Sequence, residues 1–298
     1  MKWLIYGGKG WIGEQVVKIL EDQNEIIIYG SSRADDEVNV EKEIIDKKPD
    51  RIISLVGRTC GPGYGTIDYL ELKGKLVENV RDNLYAPVVL AMLSRKYKIH
   101  LTYMGTGCIF NGYRTEDNTL ETMNEESGYS EKDKPDYFDS EYSTTKGFTD
   151  RIMHLFEEDV LNVRIRMPSS NDKNKRNFII KIMNYKKICS ISNSMTVLPE
   201  LLPIMIDMSK KKVTGTINLT NPGVINHNEI LEMVKEIIDP NLKWDNFSIE
   251  EQNKILLAGR SNNLLNTNKL EKMYPNVLSI KNSMRKVIYE LKQNMNVD

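Results

Sequence analysis

Tyr142 and Lys146 are the residues whose types and spacing most directly indicate chemistry. They stand four positions apart in the run YSTTK, and this spacing places two side chains on one face of a helix. A phenol, whose ordinary pKa is about 10, becomes a better proton donor to a ketone oxygen when a neighbouring ammonium favours the phenolate. We therefore expect Tyr142 to act as a general acid and Lys146 to tune it. The alternative places Tyr142 in the core and Lys146 at the surface.

Two further residues are candidates for the same reaction. Thr106 lies in the run GTGC, directly after the fourth predicted strand, where a doubly wound sheet opens into its ligand crevice. Its hydroxyl can donate a hydrogen bond to the ketone oxygen, and the alternative is a hydroxyl that serves only a turn. Asn83, in a long predicted helix behind the sheet, is a candidate for supporting Lys146 through a water molecule. The alternative is an asparagine that faces solvent.

A glycine triplet marks a second candidate site. Gly7, Gly10 and Gly13 in GGKGWIG follow the first predicted strand and open the first predicted helix. Their lack of side chains lets the backbone approach a pyrophosphate, and the helix N-terminus offers free N–H groups. The pattern predicts a dinucleotide site, with a ligand-free turn as the alternative. Besides the triplet and the segment after the second strand, the residues assigned to it are Trp11, Ile12, Val56, Gly57, Asn83, Tyr142 and Lys146.

The segment after the second predicted strand distinguishes between the two nicotinamide cofactors. NAD enzymes usually carry an acid there for the ribose 2′-hydroxyl, whereas this chain places Ser31, Ser32 and Arg33. Hydroxyls and a guanidinium suit a 2′-phosphate, which Arg33 can bind in forked geometry. We therefore expect NADPH. NADH stays an alternative because Asp35 and Asp36 follow closely and either can reach a 2′-hydroxyl.

Alternating short apolar and amphipathic segments supply the elements that must position these residues. Strands are predicted over residues 2–6, 25–29, 51–55, 100–104 and 160–166, and helices over 11–22, 38–47, about 70–96 and about 142–156. This alternation is typical of βαβ units that build a parallel sheet. We therefore predict an α/β fold with a Rossmann-type doubly wound parallel sheet.

The pattern loosens after residue 166 and predicts a second, smaller α/β domain. Helices are predicted near residues 178–184, 199–211 and 280–291, and a strand over 216–219. We expect a dinucleotide-binding domain over residues 1–166, with a returning strand near 214–220, and a substrate-binding domain over 167–298. The two are interleaved because the second domain hands one strand back to the sheet.

Composition excludes several classes of protein. The 298 residues are 40% hydrophobic and 28% charged, which suits one or two globular domains. Lys and Arg total 41 against 42 for Asp and Glu, so we expect a small-molecule partner rather than nucleic acid or a membrane surface. No window approaches the roughly 20 apolar residues of a membrane span. The cysteines at 60, 108 and 189 lie far apart, so we expect a cytoplasmic protein without a metal site.

Longer stretches, spread over nearly the whole chain, resemble a known family. They are GGKGWIG, TGCIF, YSTTK, RMPSSNDKNKRNFIIKI, NSMTVLPELLPI, NLTNPGVINHNEILEM and RSNN. Together they resemble the UDP-4-keto-6-deoxy-D-glucose 3,5-epimerase/4-reductases, extended short-chain dehydrogenases/reductases that complete UDP-L-rhamnose. A free-standing copy from a large DNA virus would suit the composition, and the cytoplasm would then be that of an infected host cell.

The resemblance implies two chemistries in one pocket, acting on a UDP-sugar, in a homodimer. Cys108 and Lys181 occupy the family's epimerisation positions, where a thiol and an amine exchange protons at C3 and C5 of the sugar. Without the resemblance, Cys108 reads as a small buried hydrophobe and Lys181 as a lysine whose stem covers an apolar helix. For substrate binding the resemblance points to Met167, Asn177, Thr196 and Arg260.

Other functions remain open at this level. A reductase for a dTDP- or GDP-linked 4-keto-6-deoxy sugar would share the fold and the Tyr142/Lys146 pair, but a pure reductase has no need of Cys108 and Lys181. A non-catalytic regulatory subunit that binds NADP on the same fold is a candidate from a different class. The intact Tyr142/Lys146 pair argues against it.

Overall fold

The computed structural model describes residues 1–124 and 126–295. Strands and helices alternate in the first part of the chain, as the sequence predicts. Their order is β1 (Lys2–Tyr6), α1 (Trp11–Asp22), β2 (Ile26–Tyr29), α2 (Glu37–Lys47), β3 (Arg51–Ser54), α3 (Leu76–Val80), α4 (Ala86–Tyr97), β4 (His100–Thr106), α5 (Glu141–Met153) and β5 (Val160–Ile165).

Shorter elements follow in the second part of the chain. They are α6 (Phe178–Met183), β6 (Lys187–Ile188), α7 (Leu198–Lys210), β7 (Gly215–Asn218), α8 (His227–Ile237), β8 (Asp245–Asn246), α9 (Ile249–Ile255), α10 (Asn268–Met273) and α11 (Ile280–Met295). The helices α8, α9 and α10 and the parallel pair β6–β8 are absent from the sequence prediction. Within the described residues, no helix is long and apolar enough to cross a membrane.

The main sheet has the strand order β2-β1-β3-β4-β5-β7, which confirms the predicted doubly wound fold. The pairs β1–β2, β1–β3 and β3–β4 are parallel. β2 pairs with one edge of β1 and β3 with the other. The loops after β1 and β3 therefore lie at the carboxyl ends of adjacent parallel strands, where such folds bind ligands.

The chain divides into two compact units, each built from several segments. The first comprises residues 1–109, 134–164 and 202–217, and the second comprises 110–133, 165–201 and 218–298. The last three residues of the second unit, which also end the predicted substrate-binding domain, lie outside the described part. The loop at 110–133 thus belongs to the second unit, whereas the sequence prediction assigns it to the first domain.

The first unit is held by strands that are apolar on both faces. Trp3, Leu4 and Ile5 of β1 are almost fully buried, as are Ile52 and Ile53 of β3. Such continuous apolar runs are typical of strands that helices cover on both sides. Each covering helix packs one apolar face against the sheet. The loops that connect these strands and helices form the candidate site.

The second unit has a core of its own, built mainly by α6, α8 and α11. Its buried residues include Ile179 and Ile182 of α6, Ile230 and Val234 of α8, and Ile288 of α11. A capping box fixes the start of α8: the Asn226 side chain accepts from the Glu229 N–H, and the Glu229 carboxylate accepts from the Asn226 N–H. Capping of this kind satisfies N–H groups that the helix leaves unpaired.

The predicted helix over about 70–96 is wrong at its start and in its middle. Gly74 adopts a left-handed conformation with φ of 83°, so the α-helical path begins only at α3. Residues Arg81–Tyr85 then widen into a π-helical segment before α4. Pro87 explains the widening, because it has no N–H to donate to the carbonyl of Asn83, four residues earlier.

Candidate active site

The loop between β1 and α1 fits a bound pyrophosphate. Gly7 has a φ of 81°, and a Cβ added there would lie 2.9 Å from the carbonyl carbon of Leu55. A Cβ on Gly13 would lie 2.2 Å from the oxygen of Gly7. Gly10 caps α1 without a side-chain hydrogen bond, so the first N–H groups of the helix are left for an anion. These residues therefore fit a nicotinamide dinucleotide.

The remaining predicted cofactor residues border the same loops with differing exposure. Trp11 is buried at the start of α1, whereas Ile12 and Val56 are half-buried and Gly57 is exposed. A Cβ on Gly57 would approach the side-chain oxygen of Asn83 to 3.3 Å. The backbone at Gly57 therefore lies close to Asn83.

The segment after β2 is tied to a buried carboxylate that sequence reasoning missed. The Ser31 hydroxyl donates to Glu43 at 2.6 Å and the Ser31 N–H at 2.7 Å. The Ser32 hydroxyl donates to the carbonyl of Asn39, and the exposed Arg33 forms an ion pair of 3.0 Å with Asp35. Of the three predicted phosphate ligands, Ser31 and Arg33 are exposed, and Arg33 is the one whose side chain is not bonded to α2.

Tyr142 and Lys146 lie on one face of α5, and both side chains are buried. The helix starts at this point because the Ser140 hydroxyl caps it by accepting from the Ser143 N–H. The Thr106 hydroxyl lies beside the Tyr142 phenol and acts to lower its pKa, and Thr106 accepts from the Cys108 N–H at 3.1 Å. The structure therefore brings three predicted reductase residues, Thr106, Tyr142 and Lys146, into one site.

Burial dominates the electrostatics of this pair. It raises the pKa of Tyr142 well above its ordinary value, the nearby Cys108 adds to the rise, and the neighbouring Thr106 hydroxyl acts against it. This direction is opposite to the lowering expected from the sequence, because desolvation of the phenolate outweighs its neighbours. Burial lowers the pKa of Lys146 to about 8, against the attraction of Asp150. The Lys146 ammonium donates a hydrogen bond to the hydroxyl of Tyr103.

A buried ion pair lies one helical turn beyond Lys146. The Asp150 carboxylate accepts two hydrogen bonds from Arg164, at 2.9 and 2.7 Å, and one from Asn162. Burial alone would raise the pKa of Asp150, but these bonds hold it far below its ordinary value. Asp150 therefore remains an anion next to Lys146, and it favours the charged form of that lysine.

Asn83 is fully buried, so the solvent-facing alternative is wrong. Its side-chain oxygen accepts from the Arg58 N–H, and its amide donates to the Arg58 carbonyl, both at 2.9 Å. The Asn83 carbonyl, which Pro87 leaves without its usual donor, accepts from the Thr149 hydroxyl at 2.6 Å. Asn83 thus joins the loop after β3 to the helix α5 that carries Tyr142 and Lys146.

The two predicted epimerisation residues belong to different units. Cys108, in the first unit, is half-buried and packs with Tyr69, Leu70 and Tyr142. Its carbonyl accepts from the Ser143 hydroxyl at 2.7 Å, which fixes the chain at this point beside α5. Lys181, in the second unit, lies in the last turn of α6 and is half-buried.

Two of the four predicted substrate residues have internal partners that account for them. The Asn177 side chain caps α6 and donates to the carbonyls of Ser170 and Asp172. Thr196 is fully buried, accepts from the Arg166 N–H and donates to the Leu219 carbonyl. Both side chains therefore serve the fold of the second unit, and a direct contact with substrate stays a prediction.

The other two predicted substrate residues are less enclosed. Met167 is half-buried and has a φ of 38°, a left-handed conformation that is unusual for a side chain of its size. Arg260 is half-buried, and its guanidinium donates to the carbonyl of Ala258 at 2.9 Å. Next to it, the fully buried Arg166 donates to Ser261 and Asn193. Sequence reasoning missed Arg166, although an arginine in an otherwise apolar strand pattern is a sign of a buried polar network.

No family model matches the chain, but individual proteins do. It is 57% identical over 292 residues to protein L780 of Acanthamoeba polyphaga mimivirus, covering 98% of this chain and 99% of L780. The crystal structure of that protein, the L780 UDP-rhamnose synthase, superposes with a TM-score of 0.93 over 97% of this chain and 99% of L780, at 56% identity.

Plant enzymes are more distant relatives. The bifunctional dTDP-4-dehydrorhamnose 3,5-epimerase/dTDP-4-dehydrorhamnose reductase of Arabidopsis thaliana is 41% identical, over 96% of this chain and 92% of the plant protein. A trifunctional UDP-glucose 4,6-dehydratase/UDP-4-keto-6-deoxy-D-glucose 3,5-epimerase/UDP-4-keto-L-rhamnose-reductase of the same plant is also 41% identical, but the chain spans 42% of its length. A dTDP-4-dehydrorhamnose reductase from Bacillus anthracis in complex with NADP has a TM-score of 0.79 at 17% identity, over 97% of this chain and 99% of that one, which shows a shared fold.

Proposed function

This chain belongs to the 3,5-epimerase/4-reductase family of rhamnose synthesis, and on that premise we propose that it converts UDP-4-keto-6-deoxy-D-glucose into UDP-β-L-rhamnose. The observation that carries the proposal is that Thr106, Tyr142 and Lys146 are all buried, with Lys146 one helical turn from Tyr142 on α5. This arrangement is what a carbonyl reductase needs, and it is built into a chain whose relatives epimerise and reduce keto sugars.

The epimerase half requires an acid–base pair. The C4 ketone acidifies the hydrogens at C3 and C5, so a base can remove a proton from one face and an acid can return one to the other. We assign Cys108 and Lys181 to these roles. Cys108 is suited to its part because its backbone is held by Thr106 and Ser143, the residues that flank the proton donor.

The reductase half requires a proton donor and a stabilised oxygen. NADPH, when bound, supplies the hydride for C4, and the protein supplies the proton and the orientation. Tyr142 protonates the new alkoxide, while Thr106 donates a hydrogen bond. Burial makes the Tyr142 phenolate unfavourable, so the negative charge left on Tyr142 after proton transfer has to be stabilised. We assign this stabilisation to the ammonium of Lys146, which lies on the same face of α5.

We assign the 2′-phosphate of NADPH to Arg33, whose guanidinium is exposed after β2. Its pair with Asp35 is solvent-exposed and therefore weak, so a phosphate dianion can compete for the guanidinium. We assign the UDP diphosphate to Arg260 and the sugar to Met167, with Asn177 and Thr196 shaping that part of the second unit. Uridine rather than thymidine is proposed from the likeness to the mimivirus UDP-rhamnose synthase.

We further propose a cytoplasmic homodimer. Phe148 of α5 and Leu155, two residues after α5, are 58% and 71% exposed, and contact with a second copy of the chain would remove this apolar surface from water. Sedimentation analysis tests this point: we expect a dimer for the native protein and a monomer for Phe148→Glu, and a native monomer would contradict the proposal.

The experiment that tests the function is incubation of the purified protein with UDP-4-keto-6-deoxy-D-glucose and NADPH. We expect the NADPH absorbance to fall and the product to be identified by NMR as UDP-β-L-rhamnose. A product with the D-gluco or D-galacto configuration would show that the protein reduces the ketone without epimerising C3 and C5. Binding of NADPH with no turnover would favour the regulatory subunit instead. The dTDP-linked substrate, assayed in parallel, measures the nucleotide preference.

A further inference from the structure

Glu43 is a buried carboxylate that organises the segment between β2 and α2. It is 6% exposed and accepts hydrogen bonds from four donors. Ser31 supplies two of them, its N–H at 2.7 Å and its hydroxyl at 2.6 Å, to one carboxylate oxygen. The Tyr6 hydroxyl, at 2.7 Å, and the Ser32 N–H, at 3.3 Å, donate to the other. A charge-assisted set of this size is among the stronger ways to fix a loop.

Tyr6 extends the same support to the start of the segment. A Cβ added to Gly30 would lie 2.5 Å from the Tyr6 ring, so the backbone of Gly30 packs directly on that ring. The Tyr6 hydroxyl continues to Glu43. Burial and the hydrogen bond to Glu43 raise the pKa of Tyr6, so the phenol stays a neutral donor. Three consecutive residues, from Gly30 to Ser32, are thus held by one buried Tyr–Glu pair.

The hydrogen bonds to Glu43 determine which donors and acceptors of the segment between β2 and α2 are available to bind a ligand. Both hydrogen-bond donors of Ser31 are used by Glu43, so Ser31 offers only acceptor lone pairs to the solvent side. A phosphate dianion has no proton to share with such an acceptor, whereas a ribose hydroxyl has one. Selection for a 2′-phosphate therefore falls to the Arg33 guanidinium, because the Ser32 hydroxyl already donates to the Asn39 carbonyl. Ser31 serves both cofactors alike if it accepts from the ribose 3′-hydroxyl, which NADPH and NADH share.

We propose that Glu43 is the positioning residue for the adenosine-ribose end of the cofactor, holding Ser31 and Ser32 in the conformation that receives either NADPH or NADH. The inference rests on the proposed nicotinamide-dependent function. It differs from the role of Arg33, which discriminates between the two cofactors. Loss of Glu43 weakens both by the same factor.

The first test needs no cofactor. In the unliganded protein, Glu43→Gln keeps the size of the side chain but replaces one acceptor oxygen by an amide group. We expect the backbone amides of Ser31 and Ser32 to exchange with deuterium about tenfold faster or more, as the loss of a charge-assisted hydrogen bond implies. Glu41→Gln is the matched control, because Glu41 lies on the same helix and accepts from the Tyr97 hydroxyl at 2.6 Å. Unchanged exchange at both serines in Glu43→Gln would overturn the proposal.

The second test measures dissociation constants for NADPH, NADH and UDP by fluorescence or calorimetry. In Glu43→Gln we expect both cofactors to bind about tenfold more weakly, with the NADPH/NADH ratio and the affinity for UDP unchanged. Tyr6→Phe keeps the ring against Gly30 but removes one donor, and it should act in the same direction with a smaller factor. A change confined to one cofactor, or an equal loss for UDP, would overturn the positioning role.

The two tests separate this inference from the function on which it rests. If native protein binds neither cofactor, the proposed function fails, and the role of Glu43 toward a cofactor fails with it. If native protein binds both and only the Glu43→Gln result is negative, the function stands and the positioning role is overturned. Should Glu43→Gln not fold, Tyr6→Phe carries both measurements.

Discussion

The ammonium of Lys146 donates a hydrogen bond to the hydroxyl of Tyr103, a buried residue of β4. This bond partly replaces the water that Lys146 loses on burial. Burial nevertheless lowers the pKa of Lys146 to about 8, so its charge is lost at a pH only slightly above neutrality. The pH range of the reductase therefore depends on how well this one cation is stabilised.

We expect the rate of NADPH oxidation to fall as the pH rises through about 8, because the neutral amine no longer stabilises the charge left on Tyr142. Tyr103→Phe removes an acceptor of the ammonium, lowers the pKa of Lys146 further, and should move the fall in rate to lower pH. Single-turnover rates over a pH series measure this. Lys146→Arg, which keeps its charge throughout, should lose the alkaline fall. A Tyr103→Phe profile identical to that of the native protein would contradict this account.

Tyr142→Phe should abolish the reduction and leave the epimerisation. Removal of a general acid costs roughly 10²- to 10⁴-fold in rate, so NADPH oxidation should fall by that factor. Exchange of the C3 and C5 hydrogens with solvent deuterium, followed by NMR, should persist because it does not use the phenol. Tyr97→Phe, at a half-buried pair with Glu41, is the control. If reduction survives at a near-native rate, the proton donor is another group.

Cys108→Ala should suppress the deuterium exchange that Tyr142→Phe leaves intact. The thiol is assigned to proton transfer at the sugar, and its removal leaves Tyr142, Thr106 and Lys146 in place. A chemically prepared 4-keto-L-rhamnose nucleotide, which is already epimerised, should therefore still be reduced by the variant. Cys60→Ala, at another half-buried cysteine of the first unit, should behave like the native protein. Undiminished exchange at both carbons in Cys108→Ala would remove the thiol from the mechanism.

Arg33→Ala should raise the KM for NADPH about tenfold or more and leave the KM for NADH nearly unchanged. The reason is that one guanidinium contributes a charge-assisted contact to the 2′-phosphate and none to a 2′-hydroxyl. Initial rates with each cofactor measure the two constants. Arg95→Ala removes an exposed arginine that pairs with Asp159 and serves as the control. An equal rise for both cofactors would defeat the assignment of the phosphate to Arg33.

The sequence predicted the elements whose pattern is local and missed features that depend on distant partners. The βαβ alternation, the glycine loop and the spacing of Tyr142 and Lys146 are all readable along the chain, and the structure places them as expected. Tyr103 stands 43 residues before Lys146, so no spacing rule connects them. For Glu43 the sequence indicates a buried partner, because an acid on the apolar face of α2 needs one. It does not indicate which residue that partner is.

The errors have equally specific causes. The continuous helix predicted over about 70–96 is interrupted at Gly74 and Pro87, and glycine and proline are the residues that most often interrupt helices. The capping pair Asn226 and Glu229 in front of an apolar run is the local signal for the helix α8, which the sequence prediction lacks. The assignment of Asn177 to substrate stays a prediction: its side chain donates to the carbonyls of Ser170 and Asp172, as buried polar side chains usually find a protein partner.

His227, at the start of α8, makes the stability of the protein depend on pH. Burial lowers its pKa to about 4, while the unfolded chain titrates near the ordinary value of about 6.5. Above about pH 6.5 the imidazole is neutral in both states and costs nothing. As the pH falls from about 6.5 to about 4, the imidazole binds a proton in the unfolded state but stays neutral in the folded state. The free energy of unfolding therefore decreases, by up to about 3 kcal/mol.

His227→Phe should remove that part of the pH dependence. The ring packs against Phe178 with centroids 5.3 Å apart, so a phenyl ring suits the apolar side of the site. Urea unfolding of both proteins at pH 7 and pH 5 measures the difference. We expect the native protein to lose about 2 kcal/mol between these values more than the variant does, since one neutral-to-charged transition separates them. His154→Phe, at a histidine that lies near Asp150 and Glu157, is the comparison. If native protein and His227→Phe lose the same free energy, the imidazole is protonated in the folded state, and burial does not control its charge.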